Sequence, residues 1–210
     1  MNIASNTMNE FECNSKNIYF GSLARIADLK ENPFQVKVAP REIWETGDYI
    51  VAQYIDAKGK RVDYLEHCDG TLHPLKPKDI VVGALGERCA TQEVVGSWKL
   101  IDKKIANPTL DHICGSGMFG IESSRSKWHN VETSQFRYVG HCFRNDKKVC
   151  VRDFAPATTT AMPTCPIILI VGTSMSCGKT ISGKMIIDII KNDLGIHNVA
   201  GTKFTGGGKQ

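Results

Sequence analysis

Hydrophobic and polar positions change rhythm twice along this chain. Residues 1–18 are polar, rich in Asn and Ser and without periodicity, which predicts a loosely attached arm. Ser22–Lys30 then spaces Leu23, Ile26 and Leu29 three apart, predicting a short amphipathic helix with Ser22 as its N-cap and Glu31-Asn32-Pro33 as its stop. From Asp48 the pattern becomes short β-branched and aromatic runs between turn residues. It predicts six strands, at Asp48–Asp56, Lys60–Glu66, Asp79–Glu87, Glu93–Ile101, Phe136–Phe143 and Lys147–Phe154. Ala57-Lys58-Gly59 and Arg144-Asn145-Asp146 read as hairpin turns. Closely spaced strands of this kind predict a small antiparallel barrel or sandwich.

The second change follows Ala155–Pro166, a Pro-, Thr- and Ala-rich stretch with no periodicity that reads as a linker. Ile167–Val171 is a continuous apolar run, as in a parallel strand buried on both faces. Ile181, Met185 and Ile189, with Ile186, Ile190 and Leu194 beside them, fall at helical spacings, and Gly195 is a natural terminator. Asn198–Lys203 predicts a second strand. The expected division is an arm at 1–42, a β-rich domain at 43–154, a linker at 155–166 and a partial βαβ segment at 167–210.

Between that strand and helix lies the motif that carries chemistry: Gly172, Thr173, Ser174, Met175, Ser176, Cys177, Gly178, Lys179, Thr180. Phosphate oxygens need several backbone N–H donors converging on one point, and glycines let the backbone come close to them. The helix start at Lys179 adds its dipole. Lys179 can neutralise terminal phosphates, and the Thr180 hydroxyl can complete the coordination of a magnesium ion carried by ATP or GTP. Five residues rather than the usual four separate Gly172 from Gly178-Lys179.

This loop resembles that of dethiobiotin synthetase and related cofactor-biosynthesis P-loop NTPases, in which Gly-Thr and four further residues precede Gly-Lys-Thr. The resemblance covers the C-terminal fifth of the chain. It implies an α/β P-loop fold for that part, a ligase- or kinase-like activity on a small-molecule substrate, and a second contact to phosphate or substrate from Lys203 in Val199–Gly206. Phe204 stands where those synthetases have proline. The loop lacks the extra lysine of the partition-type ATPases. A Walker-B-type aspartate does not follow, and only 31 residues come after Lys179, which leads to the expectation that the chain is a truncated piece of a longer protein, inactive in turnover by itself.

Composition changes the picture little. The 210 residues are 41% hydrophobic and 23% charged, an ordinary globular balance. A net charge of +4, without long runs of one sign, argues against a nucleic-acid partner. Eight cysteines lack a Cys-x-x-Cys pair, and the opening residues lack a signal-peptide pattern, so the expectation is a cytoplasmic protein with reduced thiols and no membrane contact, with a homo-oligomer left open. Histidine and cysteine cluster as His67-Cys68, His112-x-Cys114 and His141-Cys142, and each adjacent pair could give at most one ligand to a common zinc, because adjacent strand residues face opposite ways. Cys114–Gly120 reads as a tight turn rather than a nucleophile site, and the Trp and Tyr residues as core rather than a stacking surface. The competing functional reading is a non-catalytic β-domain that binds a ligand or partner beside a vestigial loop.

Overall fold

The structure is a computed structural model that describes residues 18–56, 62–128, 133–157, 164–173, 175 and 177–203. It is β-rich, with twelve strands and one α-helix among these residues. The strands are β1 (Ile18–Phe20), β2 (Gln35–Lys37), β3 (Tyr49–Asp56), β4 (Tyr64–Glu66), β5 (Leu72–Pro74), β6 (Ile80–Leu85), β7 (Glu87–Cys89), β8 (Val94–Ser97), β9 (Thr109–Cys114), β10 (Met118–Arg125), β11 (Gln135–Arg144) and β12 (Lys147–Lys148). The helix α1 spans Lys179–Asn192.

Ten strands form one mixed sheet in the order β1-β6-β3-β11-β9-β10-β8-β7, with β2 and β12 also on β11. The antiparallel path β6-β3-β11-β9-β10 returns to β6 through a parallel pairing, Met118 opposite Ala84 and Phe119 opposite Leu85. Backbones touch where the path returns. A β-carbon on Gly83 would stand 2.1 Å from the Gly117 carbonyl oxygen, and one on Gly21 would stand 2.5 Å from that of Ser116. Gly117 also has φ 88°, so only glycine sits comfortably at this junction. The Cys114–Gly120 stretch is therefore the turn from β9 to β10, as the sequence predicts.

Strand β3 is buried on both faces. Ile50, Ala52 and Tyr54 join one core with Leu110, Phe119, Phe136 and Tyr138, while Tyr49 and Val51 join a second core with Val82, Leu29, Phe34 and Cys142. The covering layer for the second core comes from Phe20–Val36 and the chain after β11. Such double coverage explains why Asp48–Asp56 reads as nearly continuous apolar sequence.

Several sequence expectations are corrected. Ser22–Lys30 forms only a 3-10 turn at Ser22–Ala24 capped by Gly21, and the Ser22 hydroxyl is buried without a hydrogen-bond partner. The physical reason is tertiary: the Leu23 N–H donates to the Ser116 carbonyl at 3.0 Å, and Ala24, Ala27 and Leu29, not Ile26, are buried. The turn expected at Ala57-Lys58-Gly59 lies outside the described residues, and among the described residues β3 and β4 are not paired with each other. Both edges of β3 are taken by β6 and β11, and β4 pairs instead with β5. Strand Glu93–Ile101 stops at Ser97 and continues as a 3-10 turn, and Lys147–Phe154 does the same after Lys148. Arg144-Asn145-Asp146 does make its turn, with positive φ at Asn145 and Asp146 as the tight hairpin geometry requires.

Beyond residue 163 the expected βαβ unit is not formed as a sheet. The helix α1 is present, but neither Ile167–Val171 nor Asn198–Lys203 is a strand. A strand needs a hydrogen-bonded neighbour at about 4.8 Å, and each of these runs lies along α1 instead. A β-carbon on Gly183 would meet Ile170 Cδ1 at 3.4 Å, and one on Gly201 would meet Ile187 Cδ1 at 2.9 Å. No helix among the described residues is long and apolar enough to cross a membrane.

Candidate functional site

The loop that the sequence singles out runs into the N-terminus of α1. Gly178 is the N-cap, in the left-handed conformation at φ 90° and ψ 0°, with nothing within 4 Å of where a β-carbon would be. A left-handed glycine here turns the chain so that Lys179 and Thr180 become the first two helical residues. Gly172 closes on the same turn: a β-carbon there would sit 2.4 Å from Cys177 Sγ and 3.0 Å from Lys179 Cγ. The Lys179 ammonium donates to Cys177 Sγ at 3.4 Å. Gly172, Cys177, Gly178 and Lys179 are thus brought together. Thr173, Met175 and Thr180 are exposed at the same end of the helix, and Ser174 and Ser176 lie outside the described residues. Lys203 is exposed and lies outside any helix or strand.

Chemically, this arrangement offers the N–H groups of a helix N-terminus, a partial positive charge from the helix dipole, one ammonium and one hydroxyl at a single point. An anion with several oxygens fits it. Thr180 is the residue that would reach a magnesium ion on such a phosphate. No group of three or more His, Cys, Asp or Glu side chains disposed to hold a metal occurs among the described residues.

The β-rich region holds the other chemistry-bearing side chains, and most of them are structural. His141 and Asp48 are both fully buried, with Nε2 at 3.4 Å from Oδ2. Lys148 Nζ donates to the same carboxylate at 2.7 Å, the Glu45 N–H donates to it at 2.8 Å, and Tyr138 Oη lies 2.5 Å from His141 Nδ1. Burial would push the Asp48 carboxyl up, but His141, Lys148 and the Glu45 N–H more than offset it and hold its pKa below the usual carboxylate range. Burial pulls His141 below its ordinary value despite the adjacent carboxylate. Asp63 and His112 form a second pair, with Oδ2 at 3.1 Å from Nδ1. Burial opposes ionisation of Asp63, and the His112 contact overcomes it.

These pairs do not converge. His141 packs with Trp44 and Tyr138 in one core while Cys142 belongs to the other, as alternation along a strand demands. Trp44, Tyr49, Tyr54 and Tyr138 are core, whereas Trp128 is 93% exposed and Tyr64 partly so. The buried Asp–His pairs were missed in the sequence because their partners are 49 and 93 positions apart, and no local spacing signals them. Comparison with protein-family profiles, with curated proteins and with solved structures finds no match for this chain.

Proposed function

We propose that this protein binds a magnesium–nucleoside triphosphate, ATP or GTP, through Gly172–Thr180. The observation that carries the reading is the left-handed Gly178 N-cap of α1, followed directly by Lys179 and Thr180 and closed by Gly172 against the Lys179 side chain. In this reading the backbone of Gly172–Gly178 cradles phosphate oxygens, Lys179 neutralises them and Thr180 holds magnesium. Lys203 is the second contact, to phosphate or to an acceptor. By its resemblance to the dethiobiotin synthetase-like NTPases, the loop serves a ligase- or kinase-like transfer to a small molecule in a cytoplasmic setting. The remaining groups of such an active site lie outside the residues that carry the resemblance.

The β-rich region supports a second reading as a ligand- or partner-binding module. Its strand path β6-β3-β11-β9-β10 returns to β6, and Phe119, Phe136 and Tyr138 pack together in one of its two cores.

Calorimetric titration of the full chain with magnesium-ATP and magnesium-GTP separates the two. Saturable binding that disappears in Lys179→Ala is the expected result. Absence of binding by the folded wild-type chain, or equal binding by the variant, overturns the nucleotide reading in favour of the second.

A further inference from the structure

The β4–β5 hairpin carries two histidines on one face. Leu65 is opposite His73 in the register, and the His67 N–H bonds to the Thr71 carbonyl at 2.8 Å, so His67 and His73 are diagonal neighbours across the hairpin. Their ring centres are 5.3 Å apart with the planes at 51°. Both side chains are partly exposed. His73 Nε2 faces the buried Asp79 carboxylate at 3.4 Å, and that carboxylate is itself fixed by the Lys76 N–H at 2.8 Å. With Nε2–H directed to Asp79, the His73 lone pair lies on Nδ1. Tyr19 stacks on the His73 ring at 3.8 Å and holds its plane.

We propose that His67 and His73 bind a divalent transition-metal ion of the imidazole-preferring class, such as Zn2+, Ni2+ or Cu2+, with water filling the remaining positions. The spacing fits this chemistry. A metal–nitrogen distance of about 2.0–2.1 Å and a tetrahedral angle place two imidazole centres roughly 5 Å apart. Asp79 supplies the arrangement typical of metal-binding histidines, in which the ring nitrogen not used for the metal donates to a carboxylate and fixes the tautomer. Two neutral imidazoles select borderline metals over magnesium or calcium, so this site is chemically separate from the nucleotide loop. Cys68 is not a ligand here, because its thiol points to the Phe20 and Gly21 carbonyls.

The test is titration of the full, thiol-reduced chain with Ni2+, and electron paramagnetic resonance of the same chain with one equivalent of Cu2+. One Ni2+ per chain is expected. His67→Gln and His73→Gln should each weaken binding at least tenfold, Asp79→Asn by about 10–100-fold, and Cys68→Ser should leave it unchanged. The copper spectrum of the wild type, which needs no variant, should carry the splitting of two nitrogen ligands. No saturable Ni2+ binding, binding unaffected by either histidine change, or a sulfur-ligated copper spectrum overturns the proposal.

Discussion

Ile50 and Ile181 are the same residue in two regions that treat it oppositely. The first is fully buried in the β-rich region, and the second, on α1, is 68% exposed. The contrast is general: Tyr49, Leu65, Phe119 and Phe136 have no exposed surface, while α1 contains no buried residue and Ile167, Leu169 and Val171 are each about two-thirds exposed or more. Apolar periodicity states which face of an element is suited to burial. Whether that face is covered depends on partners that the pattern does not name. In the β-rich region β3, β6 and β11 each have a strand on both sides and contribute side chains to both cores. Among the described residues the C-terminal segment has one helix and two irregular apolar-containing runs.

The sharpest way to break this contrast is a pair of truncations. Phe136→Ala removes a side chain packed between Tyr54 and Phe119, with ring centres at 5.2 and 5.0 Å, and should cost about 3–5 kcal/mol of unfolding free energy. Ile181→Ala should change it by no more than about 0.5 kcal/mol. Urea denaturation followed by tryptophan fluorescence measures both. Equal losses would mean that α1 is buried in the folded protein and that the two regions form one core.

How far the sequence could be read follows the same division. Strands β3, β6 and β11 are legible because each is a dense apolar run, and α1 is legible because Ile181, Met185 and Ile189 share one face. Strands β9 and β10 are not: Asp111 and His112 interrupt the apolar pattern, and their burial is made tolerable by the Glu122 N–H and by Asp63, which are distant in sequence. The partner of β4 is not legible either, since pairing is decided by which edges remain free after β3 has been taken on both sides. For Ile167–Val171 the composition is that of a buried strand, but composition supplies no ladder. In the candidate site, Gly178 and Lys179 are legible because their roles are local. The Asp48–His141–Lys148 cluster joins the β11–β12 hairpin to a residue 93 positions before His141 and is not.

That cluster predicts how acid distinguishes the regions, because every buried ionisable side chain among the described residues lies in the β-rich part. His141 has a folded pKa below its unfolded value near 6.5, so the folded chain binds fewer protons there. Stability is present above pH 6.5 and is lost as pH falls through the interval between 6.5 and the folded value. The slope can reach about 1.4 kcal/mol per pH unit for one group. Asp48 is also lowered, from 3.8, so its contribution holds above that pH and is lost on further acidification. Urea midpoints should therefore fall between pH 6.5 and 5 in the wild type, and the fall should be absent in His141→Gln. A flat profile in the wild type would show that His141 titrates alike in both states.

The smallest effect sets two backbone positions against each other. Lys78 is exposed and adopts φ 79°, a left-handed conformation that costs a side-chain-bearing residue about 1–2 kcal/mol. Glycine relieves that strain but adds freedom to the unfolded chain worth about 0.4–1 kcal/mol. The balance favours Lys78→Gly by a few tenths of a kcal/mol to about 1 kcal/mol, provided that the Lys78 N–H keeps its 3.1 Å bond to the Tyr54 carbonyl. Gly178→Ala is the reverse change at φ 90°, where space is open but the backbone is unfavourable for alanine. Its cost, about 1 kcal/mol, should fall on the first turn of α1. Lys78→Gly should raise the main denaturation midpoint, and Gly178→Ala should leave it in place while reducing helical circular dichroism below the transition. If Gly178→Ala lowered the main midpoint by as much as Lys78→Gly raised it, α1 and the β-rich region would unfold as one cooperative unit.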